Sequence, residues 1–215
     1  DEGNVLLGID ASGLELRMLS HYMNDSVFTD EILNGDVHTA NQKLAGLKTR
    51  DIAKTFIYAL MYGAGDARLG NVMNAGAKAG KKSRELFFEN KPAFKKLSDK
   101  VKAVARVRGY VKGLDGRVIW IRNEHASLNS LLQGAGAIVM KKALVLLDKH
   151  LKDAGFKYKF VANIHDEWQM EVPKETADLI GNIGVRAIRE AGEHYKLRCP
   201  LDGEYKYGRN WSETH

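Results

Sequence analysis

The sequence predicts an α+β fold, a small antiparallel β-sheet backed by helices together with a mostly helical lobe. Short apolar runs ending in turn residues occur at the start of the chain and twice towards its end, as strands require. Long stretches between them carry apolar residues at helical spacing. The middle of the chain is basic and rich in Gly and Ala, which suits a peripheral helical lobe.

The elements follow in order. Residues 5–9 form an apolar run that reads as a buried strand delivering Asp10 at its end. Helical spacing then runs over 14–23, and a second helix opens at 36–44. Thr49 is placed to cap a helix starting at Arg50, Asp51 suits the positive end of its dipole, and Gly63 can end it. Residues 81–107 read as one or two basic amphipathic helices interrupted at Pro92. Residues 110–113 and 117–121 flank Leu114-Asp115-Gly116, whose Asp-Gly step signals a hairpin. A long helix is expected over about 126–154, then strands at 159–164 and 168–172 joined through His165-Asp166-Glu167, then a helix over 175–195. The tail from 203 to 211 reads as irregular.

Composition bounds the function. The 215 residues are 44% apolar and 28% charged, ordinary for a folded soluble protein. Thirty-three cationic residues against 27 acidic ones give +6, compatible with an anionic partner without demanding one. Cys199 is the only cysteine, which excludes an internal disulfide and a thiolate zinc cluster and fits a reducing compartment. No apolar run is expected to approach the ~20 residues of a membrane helix, and the start lacks a signal-peptide pattern, so an intracellular protein with no membrane partner is expected. The opening Asp1-Glu2-Gly3-Asn4, without Met, reads as an interior piece of something longer.

Three segments carry candidate chemistry. Asp10 ends a strand and Glu15 follows five residues on; by itself such an Asp is more often a helix cap than a ligand. Arg50, Lys54, Tyr58 and Tyr62 recur every fourth residue, a step that drifts only about 40° around a helix, so they form one stripe. Ala53, Phe56, Ile57 and Leu60 fall on the neighbouring arc and can pack inward. The two cations lie at the helix start, where the dipole favours phosphate, and the two rings beyond them can stack on a base and a sugar. Asp166 and Glu167 adjoin at a tight strand junction; neighbouring strand residues face opposite ways, so only one is expected to be a direct ligand, and Asp166 is the choice.

Taken together and in this order, Asp10-Ala11-Ser12-Gly13-Leu14-Glu15-Leu16-Arg17, the segment Arg50 through Gly63 and His165-Asp166-Glu167 resemble motifs A, B and C of family A DNA polymerases, the bacterial polymerase I kind. Gly113-Leu114-Asp115-Gly116-Arg117 and Asn129-Ser130-Leu131-Leu132-Gln133-Gly134 extend the likeness, and Ala53-Lys54-Thr55-Phe56-Ile57-Tyr58 looks closest to the bacteriophage replicative branch.

The resemblance implies a palm in two parts, 1–35 and 109–215, around fingers at 36–108, with thumb and exonuclease domains absent. It implies two Mg²⁺ ions, with Mn²⁺ as a substitute, held by Asp10, Asp166 and the Ala11 carbonyl, and Glu167 beside them in catalysis. Arg50, Lys54 and His38 would bind the triphosphate, Lys54 also protonating the pyrophosphate. Tyr58 and Tyr62 would lie at the nucleotide, and Glu15 would close off the sugar 2′ side. His165, Gln133, Asn129 and Arg17 would line primer and template. Expected partners are primer-template DNA, deoxynucleoside triphosphates and a separate N-terminal polymerase fragment, in a bacterial cytoplasm. Two readings stay open, a working minimal polymerase and a catalytically incomplete half that needs its N-terminal partner. A metal-dependent nuclease would also use carboxylate pairs, but gives no reason for the Arg50 to Tyr62 stripe.

Overall fold

The computed structural model describes residues 3–214; the opening Asp1-Glu2 and the final His215 lie outside the described residues. The chain forms two compact units, one made of residues up to Met18 together with those from Ala135 onward, the other of Leu19–Gly134.

The first unit is organised on an antiparallel sheet in the order β4-β5-β1-β6, with β1 at Asn4–Ala11, β4 at Lys159–Ile164, β5 at Glu167–Pro173 and β6 at Gly203–Gly208. Strand alternation sorts its residues onto two faces. Leu7 and Ile9 of β1 stand opposite Met170 and Trp168 of β5, and opposite Tyr207 and Tyr205 of β6. That face is apolar, and Leu7, Ile9, Trp168 and Met170 are fully buried. Helix α9, Ala177–His194, covers it: a Cβ on Gly184 would sit 2.5 Å from Ile9 Cδ1, so the helix comes this close only because Gly184 has none. The opposite face carries Gly8, Asp10, Glu167, Gln169, Glu204 and Lys206, and the short helix α10, Trp211–Thr214, lies against it through Thr214.

The tail expected to be irregular is therefore corrected at β6. Its two tyrosines alternate with Glu204 and Lys206, and the strand is held by pairing to β1, a long-range contact that a short, glycine-bounded sequence does not announce.

The second unit is helical apart from one hairpin. Helix α1, Leu14–Met23, leads into it, followed by α2 at Ser26–Leu33, α3 at Val37–Ala45, α4 at Arg50–Met61, α5 at Asp66–Val72, α6 at Ala77–Asn90 and α7 at Pro92–Arg108. The basic helical stretch is interrupted at Pro92 as expected, with Pro92 the first residue of α7, where its missing N–H is unneeded. The buried inner arc of α4 is the expected one, with Ala53, Phe56, Ile57 and Leu60 at most 7% exposed. At the junction of α6 and α7 the ammonium of buried Lys91 lies 3.8 Å from both Asp25 and Glu31 and over the Phe28 ring, which ties α2 to that junction. The hairpin pairs β2, Tyr110–Lys112, with β3, Val118–Trp120, and turns Val111 and Ile119 inward onto Val101, Ala105 and Leu131.

Helix α8, Ser127–Asp153, spans both units. By length and composition the helical run Glu124–Asp153 is long and apolar enough to cross a membrane, contrary to the expectation above; half of that window is buried within the protein, as in a core helix. Its charged residues, such as Lys141 and Lys142, interrupt any continuous apolar stretch read from sequence, which is why the run was missed.

Candidate active site

The expected site residues divide between the two units. In the first unit, the β1–β5 register sets Asp10 directly opposite Glu167, and the β1–β6 register sets Asp10 opposite Glu204. Directly opposed residues share a face, so three carboxylates cross the polar face in one row. A cleft of about 140 Å³ opens there, lined by Gly8, Asp10, Glu167, Glu204, Tyr205, Lys206 and Thr214. Glu204 was not anticipated, because its place in the row depends on β6.

Asp166 lies in the two-residue turn between β4 and β5, and its main-chain oxygen accepts the Ala11 N–H at 3.0 Å. His165, the other turn residue, has φ +52°, in the left-handed region that a non-glycine residue adopts at some cost. The tight turn thus brings Asp166 to Ala11, the residue after Asp10. Glu167 is buried, at 5% exposure, and accepts a hydrogen bond from Gln169 Nε2, whose Oε1 in turn accepts from the Thr214 hydroxyl at 3.1 Å. Gly8 leaves the room for this chain, since a Cβ there would lie 2.6 Å from Gln169 Nε2. Buried polar groups held in a satisfied chain are rigid, so Glu167 is fixed where Asp166 sits on a turn.

Glu15 is half-buried in the first turn of α1. Arg17, expected at primer and template, is packed into the first unit. It is only 9% exposed, with Nε donating to the Ser12 carbonyl at 2.7 Å and Nη1 to the Pro200 carbonyl. Its guanidinium clasps the β1–α1 turn to the segment before β6, a use that an arginine at helical spacing does not reveal.

In the second unit, the Thr49 hydroxyl caps α4 by accepting the Ile52 N–H at 3.2 Å, and Gly63, with φ +80°, follows the helix. The stripe is as expected: Arg50 and Lys54 are exposed, Tyr58 is half-buried and Tyr62 is 45% exposed. The Tyr58 ring centroid lies 6.4 Å from Tyr62 and 6.3 Å from the imidazole of His38. Asp36, at the start of α3, accepts from Arg50 Nε at 2.7 Å, which brings His38 and Arg50 to one place.

Electrostatics follow from that cluster. The Arg50 hydrogen bond, with that of Thr39, holds the Asp36 carboxyl well below the usual carboxylate range. Burial first, then the charges of Arg50 and Lys54, lower the His38 pKa below its ordinary value, so the imidazole is neutral at neutral pH. Its Nδ1 is buried without a hydrogen-bond partner. At the other end of α4, a cleft of about 420 Å³ is lined by Ala59, Tyr62, Gly63, Ala64, Arg68, Asn129 and Gln133. It gathers three expected residues, adds Arg68, which sequence reasoning missed, and contains the buried, unpartnered Asn129 Oδ1.

The chain combines an acidic antiparallel sheet in one unit with a helix carrying a cationic and aromatic stripe in the other. It superposes on the POL domain of Pol1 from M. smegmatis, solved in complex with DNA primer-template and dNTP, with a TM-score of 0.88 at 24% identity, over 100% of this chain and 41% of that one.

Sequence comparison gives the family. The model for DNA polymerase family A matches residues 1–213, and the chain belongs to that family. It is 42% identical over 98% of its length to the DNA-directed DNA polymerase of Enterobacteria phage T3 and 40% identical over 98% to that of Escherichia phage T7, spanning 33% of each. It is 31% identical over 99% of its length to DNA polymerase I of Aquifex aeolicus, of which it spans 40%.

Proposed function

We propose that the chain is the palm and fingers core of a template-directed DNA polymerase, with fingers at 36–108 and palm before and after, acting in a bacterial cytoplasm. Its reaction adds deoxynucleoside triphosphates to a primer 3′-OH. The observation that carries this reading is the acidic strand end where Asp10 stands opposite Glu167 and Ala11 is hydrogen-bonded to Asp166.

The donor set suits a hard divalent cation. Mg²⁺ is commonly held by one or two carboxylates and takes its remaining oxygens from water and substrate phosphate. Asp10, Asp166 and the Ala11 carbonyl would hold two such ions, with Mn²⁺ as a substitute. When bound, the ions lower the pKa of the primer hydroxyl and neutralise charge developing on the phosphates.

The protein contributes position and electrostatics. Arg50 and Lys54 bind the triphosphate at the positive end of α4, and Lys54 protonates the leaving pyrophosphate. Neutral His38 offers its unpartnered Nδ1 to the same triphosphate. Tyr58 and Tyr62 pack on the nucleotide, and Glu15 excludes a 2′-hydroxyl. Glu167 supports Asp166 at the reacting end, while His165, Asn129 and Gln133 contact the primer terminus and minor groove.

Primer extension by the purified chain with Mg²⁺ tests the proposal, with Asp10→Ala and Asp166→Ala as controls. Extension that survives either substitution overturns the carboxylate assignment. Because the chain spans about a third of the phage relatives, a second reading is a half-enzyme. Extension that appears only on adding an N-terminal polymerase fragment would establish it.

A further inference from the structure

The solvent face of the β2–β3 hairpin has a chemistry that the polymerase reading does not use. Tyr110 pairs with Trp120 and Lys112 with Val118, so these four side chains share the outer face while Val111 and Ile119 turn inward. Trp120 is 74% exposed, more than any other aromatic residue among the large apolar side chains at the surface. The Tyr110 ring stands edge-on to it, with centroids 5.6 Å apart at 71°. Edge-on support steadies an indole while leaving a broad face of it open.

The surroundings are cationic. From residue 106 to 124 there are five Arg or Lys residues against two carboxylates. Those two carboxylates are engaged, Glu124 by Arg106 and Asp115 by Arg117, each at 2.7 Å. Arg108, Lys112 and Arg122 are exposed, Lys112 on the same hairpin face as the indole and the other two within two residues of the strands in sequence.

We infer that this face binds single-stranded DNA, with a base stacked on Trp120 and the neighbouring phosphates on Lys112, Arg108 and Arg122. An open ring among cations is how proteins hold unpaired strands, because every base has a flat face and the backbone is anionic. Duplex DNA keeps its bases stacked on one another, and an acidic peptide would use the cations but leave the indole idle. The inference deepens the polymerase reading, since a copied template has an unpaired segment to hold.

The test is fluorescence anisotropy with a labelled twelve-nucleotide oligo-dT, on the purified wild-type chain, Trp120→Ala and Trp120→Phe, alongside primer extension on a template with a one-nucleotide overhang. The exposed site leaves the fold unaltered, which the thermal midpoint checks. Trp120→Ala is expected to weaken oligo-dT binding roughly 5- to 100-fold, Trp120→Phe to recover part of the loss, and short-overhang extension to stay unchanged. Equal oligo-dT affinity in all three proteins overturns the inference, as does a poly-glutamate peptide that binds the wild type while oligo-dT does not. Trp120-dependent oligo-dT binding without any extension, either alone or with an N-terminal polymerase fragment added, would instead sink the polymerase reading and leave this surface standing.

Discussion

Asp36 joins two helices at a single carboxylate: it takes the Arg50 Nε at 2.7 Å while accepting the main-chain N–H groups of His38 at 3.1 Å and Thr39 at 3.2 Å. The cap of α3 is thereby also the guide for the first cation of the α4 stripe. Asn caps a helix as well as Asp does but carries no charge, so Asp36→Asn separates the two duties. If Arg50 binds triphosphate in the orientation Asp36 imposes, this variant should raise KM for the nucleotide several-fold with kcat little changed, because binding is lost equally in ground and transition states. Steady-state primer extension reads the split, and a fall confined to kcat would contradict it.

The same pair predicts a flat acid response. Asp36 is depressed in the folded protein, so its contribution is fully present above the unfolded carboxylate pKa and is lost only as pH falls through the lower folded value. Asp36→Asn should therefore leave the pH dependence of the thermal midpoint between pH 5 and pH 8 unaltered.

Tyr58 tests the stripe at its middle. Its ring centroid lies 6.3 Å from that of His38 and 6.4 Å from that of Tyr62, and with the ring packed on the nucleotide as proposed, its hydroxyl can stand in for a missing sugar hydroxyl near the phosphates. The enzyme should then accept dideoxynucleotides readily. Tyr58→Phe should cut that acceptance roughly 10- to 100-fold, the loss of a hydrogen bond to a charged group, with little effect on ordinary deoxynucleotides. Single-nucleotide incorporation with each substrate measures it; strong discrimination by the wild type, unchanged in the variant, would refute the role.

How much of this was legible depends on how local the signal is. The α4 stripe could be read because a cap, a dipole-matched Asp51 and a four-residue repeat all sit within one segment. The β4–β5 hairpin was legible for the same reason, as alternating runs closed by a tight turn, although Glu167, expected in the junction, belongs to β5. What escaped was set by distant partners. Strand β6 exists through pairing with β1, Glu204 joins the carboxylate row only through that pairing, and Arg17 is turned inward by the Ser12 and Pro200 carbonyls. Helix α2 is eight residues long, too short for its helical spacing to stand out from the sequence around it.

His38 should titrate abnormally. Burial, then Arg50 and Lys54, depress its pKa, so an NMR titration of the imidazole protons should place the midpoint below the ordinary histidine value. Lys54→Ala removes one of the lowering charges and should move it upward. A bound triphosphate should also move it upward, because a nearby anion favours the protonated ring, and by linkage nucleotide affinity should rise as pH falls through that midpoint. As for stability, the neutral buried ring contributes fully above the unfolded histidine pKa and progressively less as pH drops towards the folded one. A midpoint unmoved by nucleotide would remove His38 from the triphosphate site.

Gly63 is the most constrained position of the α4 end. It has φ +80°, and a Cβ there would run into the His125 carbonyl oxygen, a backbone atom that has no flexible end to yield. Gly63→Ala therefore meets two separate penalties, a left-handed backbone and a main-chain clash, and should destabilise the protein by about 1–3 kcal/mol. Because Gly63 also lines the cleft with Tyr62, Asn129 and Gln133, relief of the clash must shift either the end of α4 or the segment at His125 and so reshape that cleft. Urea denaturation should show the stability loss, and primer extension at a temperature well below the new midpoint should show a residual defect in template-directed insertion. Full activity in the folded variant would mean that this cleft plays no part in holding the template base or primer.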